Sequence, residues 1–336
     1  MPVTQFDVAS IAGVSRKTVS NVINGYPHIS PDVITRVNAA IAELGYTPSR
    51  AARSLRTGRT RTIQLIIPEL DVSYFAELAR WVVTAAEERQ LAVIITQTLG
   101  DPERERRAIE GELAEYADGS ILSPVSSDLS TISQRRADSP IVLVGELAGG
   151  GSLTHIGIDN VAAAELATRH LIDLGRQRIA FIGAQPDPSS RMAQMRLAGY
   201  RNAIESAGHP FEPGLIAHTV GYHRADGADA MHRLFDSGLA PDAVFCATDL
   251  LAMGAMRAAR DIGLEVPSDL AVVGFDDIEE GRYSVPTLTT ISPDKRQIAE
   301  LAVTRLEAAI DDDSASNGSE LPVSFSLIRR ESTEEK

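Results

Sequence analysis

The chain has 336 residues, a formal net charge of −14 and one cysteine, Cys246. That length allows two or three domains, 43% hydrophobic residues fill their cores, and a lone cysteine excludes an internal disulfide. No run of about 18 apolar residues is present to span a membrane, and MPVTQFDVAS has neither the basic nor the apolar part of a secretory signal, so a cytoplasmic protein is expected.

Charge is unevenly spread. Residues 1–61 carry eight basic groups against three acids, plus 5, which leaves −19 for the remainder. Attraction to phosphate therefore belongs to the N-terminal sixth.

In chain order, QFDVASIAGVSRKTVSNVIN (5–24) predicts two short helices at a tight turn. Phe6, Val8, Ala9 and Ile11 are expected on one apolar face, Gly13 in the turn, and Ser15 capping the second helix. Val19, Val22 and Ile23 point inward. Arg16, Lys17, Thr18, Ser20, Asn21 and Asn24 then make a polar face without an acid, suited to the acceptor-rich major groove. The same spacing also fits a merely solvated hairpin. Ser30-Pro31-Asp32 starts a third helix that Gly45 stops, with Val33, Ile34, Val37, Ala40, Ile41 and Leu44 as its stripe.

PSRAARSLRTGRTR (48–61) reads equally as a solvated linker or as a helix that orders on DNA, with Leu55 as a minor-groove wedge. Beyond Thr62 short apolar runs alternate with helical segments: TIQLIIP, a helix near 75–90, LAVIITQ, a helix near 102–115, GSILSP, PIVLVG, LTHIGI, a helix near 160–174, RIAFIG, a helix near 189–208, AVFCAT, a helix near 250–262, and LAVVGF. A final strand, LPVSFSLI, follows the 311–320 loop. Such alternation means α/β architecture with parallel sheets covered on both faces, and ligands at the carboxyl ends of the strands. Tyr74, Phe75, Ser123, Arg191, Arg196, Tyr222, Thr248, Asp249, Asp276 and Asp277 collect at those ends. Phe75 also suits a core position, and Asp159 reads first as a helix cap.

Five segments, DVASIAGVSRKTVSNVING, ELGYTPSRAARSL, NVAAAELATRHLIDLGRQRIAFIG, ATDLLAMGAMRAA and VVGFDDIEEGRYSVPTLTTI, resemble in order the lac repressor and galactose repressor family of bacterial transcription regulators. The resemblance implies a three-helix helix-turn-helix head (1–47), a hinge helix (48–61) and a periplasmic-binding-protein-like core (62–336) of two doubly wound parallel-sheet subdomains. By the family's pattern of three crossings, near 157–159, 285–288 and 312–320, one subdomain takes 62–157 plus 289–315 and the other 158–288 plus 316–336. It further implies a homodimer on a pseudo-palindromic operator. Arg16, Lys17 and Asn21 fall on base-reading positions, Thr18, Ser20 and Asn24 near phosphates, and Ser49, Arg53 and Leu55 in the hinge. Asn21 stands where many relatives carry arginine, and Ser49 replaces a frequent hinge asparagine.

The effector positions that the resemblance implies are Tyr74, Ser123, Arg196, Tyr222, Thr248 and Asp276; Phe75, which reads first as core, and Arg191, in a loop where relatives vary, join them as candidates from their place at the strand ends. Arg196 and Asp276 suit neighbouring hydroxyls, and Tyr222 suits stacking on a sugar or base. No cofactor or metal is implied, and sugars precede purines or nucleosides as effectors. Two other classes compete with this reading. A sugar-binding protein without DNA function fails to explain the basic head. An enzyme would need chemistry that is missing: no P-loop, no G-x-S-x-G and no metal-spaced histidines occur, and adjacent Asp276 and Asp277 rarely serve one centre.

Overall fold

The computed structural model describes residues 3–47, 58–111, 115–124, 139–146, 153–187, 190–312 and 318–334. The chain divides into two compact units, Met1–Arg61 and Thr62–Lys336.

The first unit holds α1 (Gln5–Ala12), α2 (Arg16–Ile23) and α3 (Pro31–Leu44). Gly13 ends α1 in the left-handed region at φ 64°, and the Ser15 hydroxyl caps α2 by accepting from the Thr18 amide at 3.1 Å. Val8, Ala9, Ala12, Val19, Val37 and Ala40 form the buried centre. The apolar face of α1 is narrower than expected. Phe6 (67% exposed) and Ile11 (48%) lie outside it, because the buried stripe runs through 8, 9 and 12 at helical spacing.

Among the described residues the second unit contains two six-stranded sheets. The first is ordered β11-β5-β4-β3-β1-β2, all parallel, from β1 (Thr62–Ile67), β2 (Ala92–Gln97), β3 (Gly119–Leu122), β4 (Ile141–Glu146), β5 (Thr154–Ile158) and β11 (Glu320–Pro322). The second is β12-β10-β9-β8-β6-β7, from β6 (Ile179–Ala184), β7 (Ile216–His218), β8 (Ala243–Cys246), β9 (Ala271–Phe275), β10 (Thr289–Pro293) and β12 (Phe325–Ile328). Only β12 runs antiparallel to its neighbour in that sheet.

Helices cover both sheets. On the first, α4 (Ser73–Glu88) and α11 (Lys295–Asp311) pack on one face, while Ala108 and Ile109 of α5 (Pro102–Glu110) close the other with Ile66, Leu122, Ile141 and Leu143. Around the second lie α6 (Asn160–Asp173), α7 (Arg191–Ser206), α8 (Arg224–Asp236) and α9 (Asp249–Asp261), with the short α10 (Glu279–Arg282) after β9. Strands buried on both faces explain the unbroken apolar runs, as in β6 and β9, where every residue is buried.

The chain crosses between lobes three times, and two crossings differ from expectation. The first falls between β5 and α6, as expected. The second follows β10: Thr289, Thr290 and Ile291 pair with β9, so 289–293 belong to the second lobe, and α11 leaves only where Pro293 ends the ladder and Asp294 caps the helix. The third falls between β11 and β12, not at 312–320, because the stretch read as one strand is two. Glu320–Pro322 pair with β5 in the first sheet and Phe325–Ile328 with β10 in the second. Helices α8 and α11 were not among the helices anticipated.

Candidate ligand pocket and nucleic-acid interface

In the head, α2 starts at Ser15, so its first turn presents Arg16 and Lys17 to solvent. Thr18 is half-buried, its hydroxyl 2.9 Å from that of Ser15. Asn24 donates its amide to the Ser20 carbonyl and, at 3.3 Å, to the Ser20 hydroxyl, which links two of the polar positions one turn apart. Asn21 is half-buried on the same helix. Arg36 of α3 donates to the Ala12 carbonyl at 3.0 Å and so satisfies the end of α1 beside the turn. The six head positions expected to read DNA thus sit on one short helix and the residue that ends it. Ser49, Arg53 and Leu55 lie outside the described residues.

In the second unit a cavity of about 340 Å³ opens between the lobes. All eight expected effector residues line it. Tyr74 and Phe75, at the start of α4, meet edge to face with centroids 5.2 Å apart. Ser123 comes from the carboxyl end of β3, Arg191 and Arg196 from the first two turns of α7, and Tyr222 from the loop after β7. Thr248 caps α9 by accepting from the Leu251 amide at 3.2 Å, while Asp276 follows β9. Strand ends of both sheets therefore converge on one space, as parallel α/β sheets dictate.

Arg196 is held from several sides. Its guanidinium lies 3.4 Å over the Phe275 ring, its Nε donates to Asn160 Oδ1 at 2.9 Å, and its Nη1 donates to the Ala247 carbonyl. The same Nη1 stands 3.8 Å from Asp276 Oδ1. Held in this way, the pair loses little conformational freedom when it grips a ligand.

Asp276 and Asp277 have φ of 115° and 49°, in the left-handed half where a non-glycine residue costs on the order of 1–3 kcal/mol. Their carboxylates turn apart. Burial pushes Asp276 up to about 6, with Arg196 and then Lys295 opposing it. Burial also acts on Asp277, but the hydrogen bond and charge of Arg330, with Ser292 and Arg282, outweigh it and hold the group below its ordinary value. Arg330 reaches Asp277 Oδ1 at 2.6 Å and Arg282 reaches Oδ2 at 2.9 Å. Beneath them Asp249 is fully buried; that burial, and secondarily the charge of Asp276, raise its carboxyl well above the usual range. Its oxygens bond Thr290 Oγ1 at 2.6 Å and the Ile278 amide at 2.9 Å. Gly274 is required here, because a Cβ would stand 2.1 Å from Asp249 Oδ1.

Several lining residues were missed from sequence. Asn160 follows the cap residue Asp159, whose side chain accepts from the Ala162 amide at 2.9 Å, so its place at a strand end was open to inference. His155 lies within β5, with no signal to mark it. Glu69 and His223, from opposite lobes, meet at 3.2 Å at the rim. Among the described residues no group of three or more His, Cys, Asp or Glu could hold a metal, and no helix is long and apolar enough to cross a membrane.

The family described as bacterial regulatory proteins, lacI family, matches residues 5–49, and a periplasmic binding protein-like domain matches residues 168–333. The ribose operon repressor of Escherichia coli (strain K12) is 37% identical over 302 residues, which cover 89% of this chain and 91% of that protein. This chain belongs to the lacI family. It is a DNA-binding transcription regulator, with a helix-turn-helix head and a periplasmic-binding-protein-like core. Another family member, the HTH-type transcriptional repressor PurR of Haemophilus influenzae (strain PittEE), is 31% identical and covers 97% of each chain. Among solved structures of the family, the lac repressor dimer bound to operator and the anti-inducer ONPF matches with a TM-score of 0.88 at 28% identity, over 99% of both chains. A complex of the transcriptional regulator CelR with cellobiose gives 0.73 at 30% identity, over 98% of this chain and 99% of that one.

Proposed function

We propose that this chain is a repressor that binds a pseudo-palindromic operator as a homodimer in the cytoplasm, under control of a small polyhydroxylated effector, a free sugar in the first place. The observation that carries this reading is the Arg196–Asp276 pair at 3.8 Å in a cavity lined from both lobes. A guanidinium and a carboxylate side by side offer donors and acceptors to adjacent hydroxyls, while Phe75 and Tyr222 offer faces to a ring. The 37% identity to a ribose operon repressor supports a sugar. A purine is the second reading, favoured by the Tyr74–Phe75 aromatic wall and by the similarity to PurR. Ligand binding shifts the balance between lobe arrangements, and through them the affinity of the paired heads for DNA. We assign no catalysis to Asp276 and Asp277, since each carboxylate is engaged with a different arginine.

A thermal-shift panel of pentoses, hexoses, sugar phosphates, nucleosides and purines tests the reading. A ligand at 100 times its Kd stabilises the folded chain by about 2.7 kcal/mol, so a sugar is expected to raise Tm and to change operator affinity. A rise with purines alone would replace the sugar. Ligand binding without any change in operator affinity would overturn effector control.

A further inference from the structure

Lys295 is the first residue of α11, directly after the second crossing, and is 8% exposed. Its Nζ donates to the carbonyls of both left-handed residues, Asp276 and, at 3.0 Å, Asp277. It also pairs with Glu77 Oε2 at 2.7 Å and stands 5.8 Å from the centroid of the Tyr74 ring. The other oxygen of Glu77 accepts from the Glu279 amide at 2.9 Å. Lys295 and Glu77 belong to helices that cover the first sheet, whereas 276, 277 and 279 follow a strand of the second. Every one of these hydrogen bonds except the Lys295–Glu77 pair itself therefore joins the two lobes.

We propose that Lys295 and Glu77 are the positioning pair of the ligand pocket: from the first lobe they hold the 276–277 turn that aims Asp276, and so tie occupancy of Asp276 to α4. The turn is strained and needs an outside anchor. A single ammonium bonding two successive carbonyls supplies one, and its charge is paired directly with Glu77. A ligand that moves Asp276 moves those carbonyls, and Lys295 and Glu77 pass the displacement to α4, whose first turn carries Tyr74 and Phe75. Neither residue needs to touch the ligand. The second half of this inference, coupling to DNA, rests on the effector-controlled reading above.

Two measurements on the full chain decide it. In ligand-free protein, Lys295→Met should speed amide hydrogen exchange at 276–279 at least tenfold while β6, β8 and β9 stay protected, and Lys295→Arg should restore the slow rate. Because Lys295→Met strands the Glu77 charge, the double variant Lys295→Met/Glu77→Gln repeats the measurement without it. Next, with the panel compound of largest thermal shift at saturation, the ratio of operator affinities with and without that compound should fall at least fivefold in the double variant. Unchanged local exchange, exchange raised evenly over the whole lobe, or an unchanged operator ratio would overturn the pair. Indifference of the wild type to every compound in the panel would sink the functional reading alone, and the exchange measurement decides the pair in either case.

Discussion

Asp276 shows how a single side chain in this core is tuned by what surrounds it. Facing it are Arg196 from α7, Lys295 from α11, Glu77 from α4 and the buried Asp249 of α9. With its carboxyl pushed up to about 6, Asp276 is charged at neutral pH and takes up a proton not far below it. Only the charged form accepts hydrogen bonds at both oxygens, so effector affinity is expected to be flat above pH 7 and to fall as pH drops through about 6, tending to tenfold per unit. Calorimetric titration from pH 8 to 5 measures this; affinity that rises on acidification would remove Asp276 from the contact. Linkage to folding has the opposite sign. A raised carboxyl binds its proton more tightly when folded, so its contribution to stability is lost as pH rises from about 4 towards 6. Asp276→Asn should abolish both dependences.

At the scale of elements, the head depends on its caps. Helix α2 has eight residues, too few to persist alone in water, and its start is fixed by the Ser15 hydroxyl on the Thr18 amide. Ser15→Ala should cost the head about 1 kcal/mol, read as a lower Tm of its own unfolding transition with the core transition unmoved. The elements also show what the sequence reveals and what it hides. Strands β1, β6, β8 and β9 stood out because burial on both faces makes the run continuous, and the eight pocket residues followed from the ends of such strands and from the family resemblance. Helix α8 gives little sequence signal because RADGADAMHRLFD alternates charge with small residues and buries Gly227, Ala230, Met231 and Leu234 alone. For α11 the signal was present: Ile298, Ala299, Ala302, Val303 and Leu306 repeat at helical spacing. Lys295 stayed hidden, because an exposed lysine and one clamped on two carbonyls have the same one-letter code. Phe6 and Ile11 were misplaced for a similar reason, since apolar character says nothing about which side of a two-turn helix finds a core.

For the whole molecule, the segregation of charge separates two duties. A basic N-terminal sixth supplies the phosphate term of binding, while the acidic core, at −19, is repelled by the same duplex. On the proposed reading, specificity comes from α2 together with Ser49, Arg53 and Leu55. If Leu55 wedges open the operator centre, Leu55→Ala should weaken operator binding by tenfold or more and leave binding to random duplex within about twofold, with an unchanged salt slope. Gel-shift titrations on the two duplexes across a salt series measure all three. Equal loss on both would sink the wedge.

The third crossing bears on how the chain is made. Strands β11 and β12, two residues apart in sequence, lie at the edges of different sheets, and among the described residues β11 is the one strand of the first sheet that follows α11. During synthesis the head emerges before the core and can close its own small centre, Val8 to Ala40, while the sheets are still being made. Neither sheet can take its edge strand until residues 320–328 have left the ribosome. A nascent chain therefore carries a closed head ahead of an unfinished sensor, and control by the effector waits until both edge strands are in place. A chain that stops between 312 and 320 would lack both edge strands and leave each sheet with an open edge, a substrate for proteases rather than an unregulated repressor.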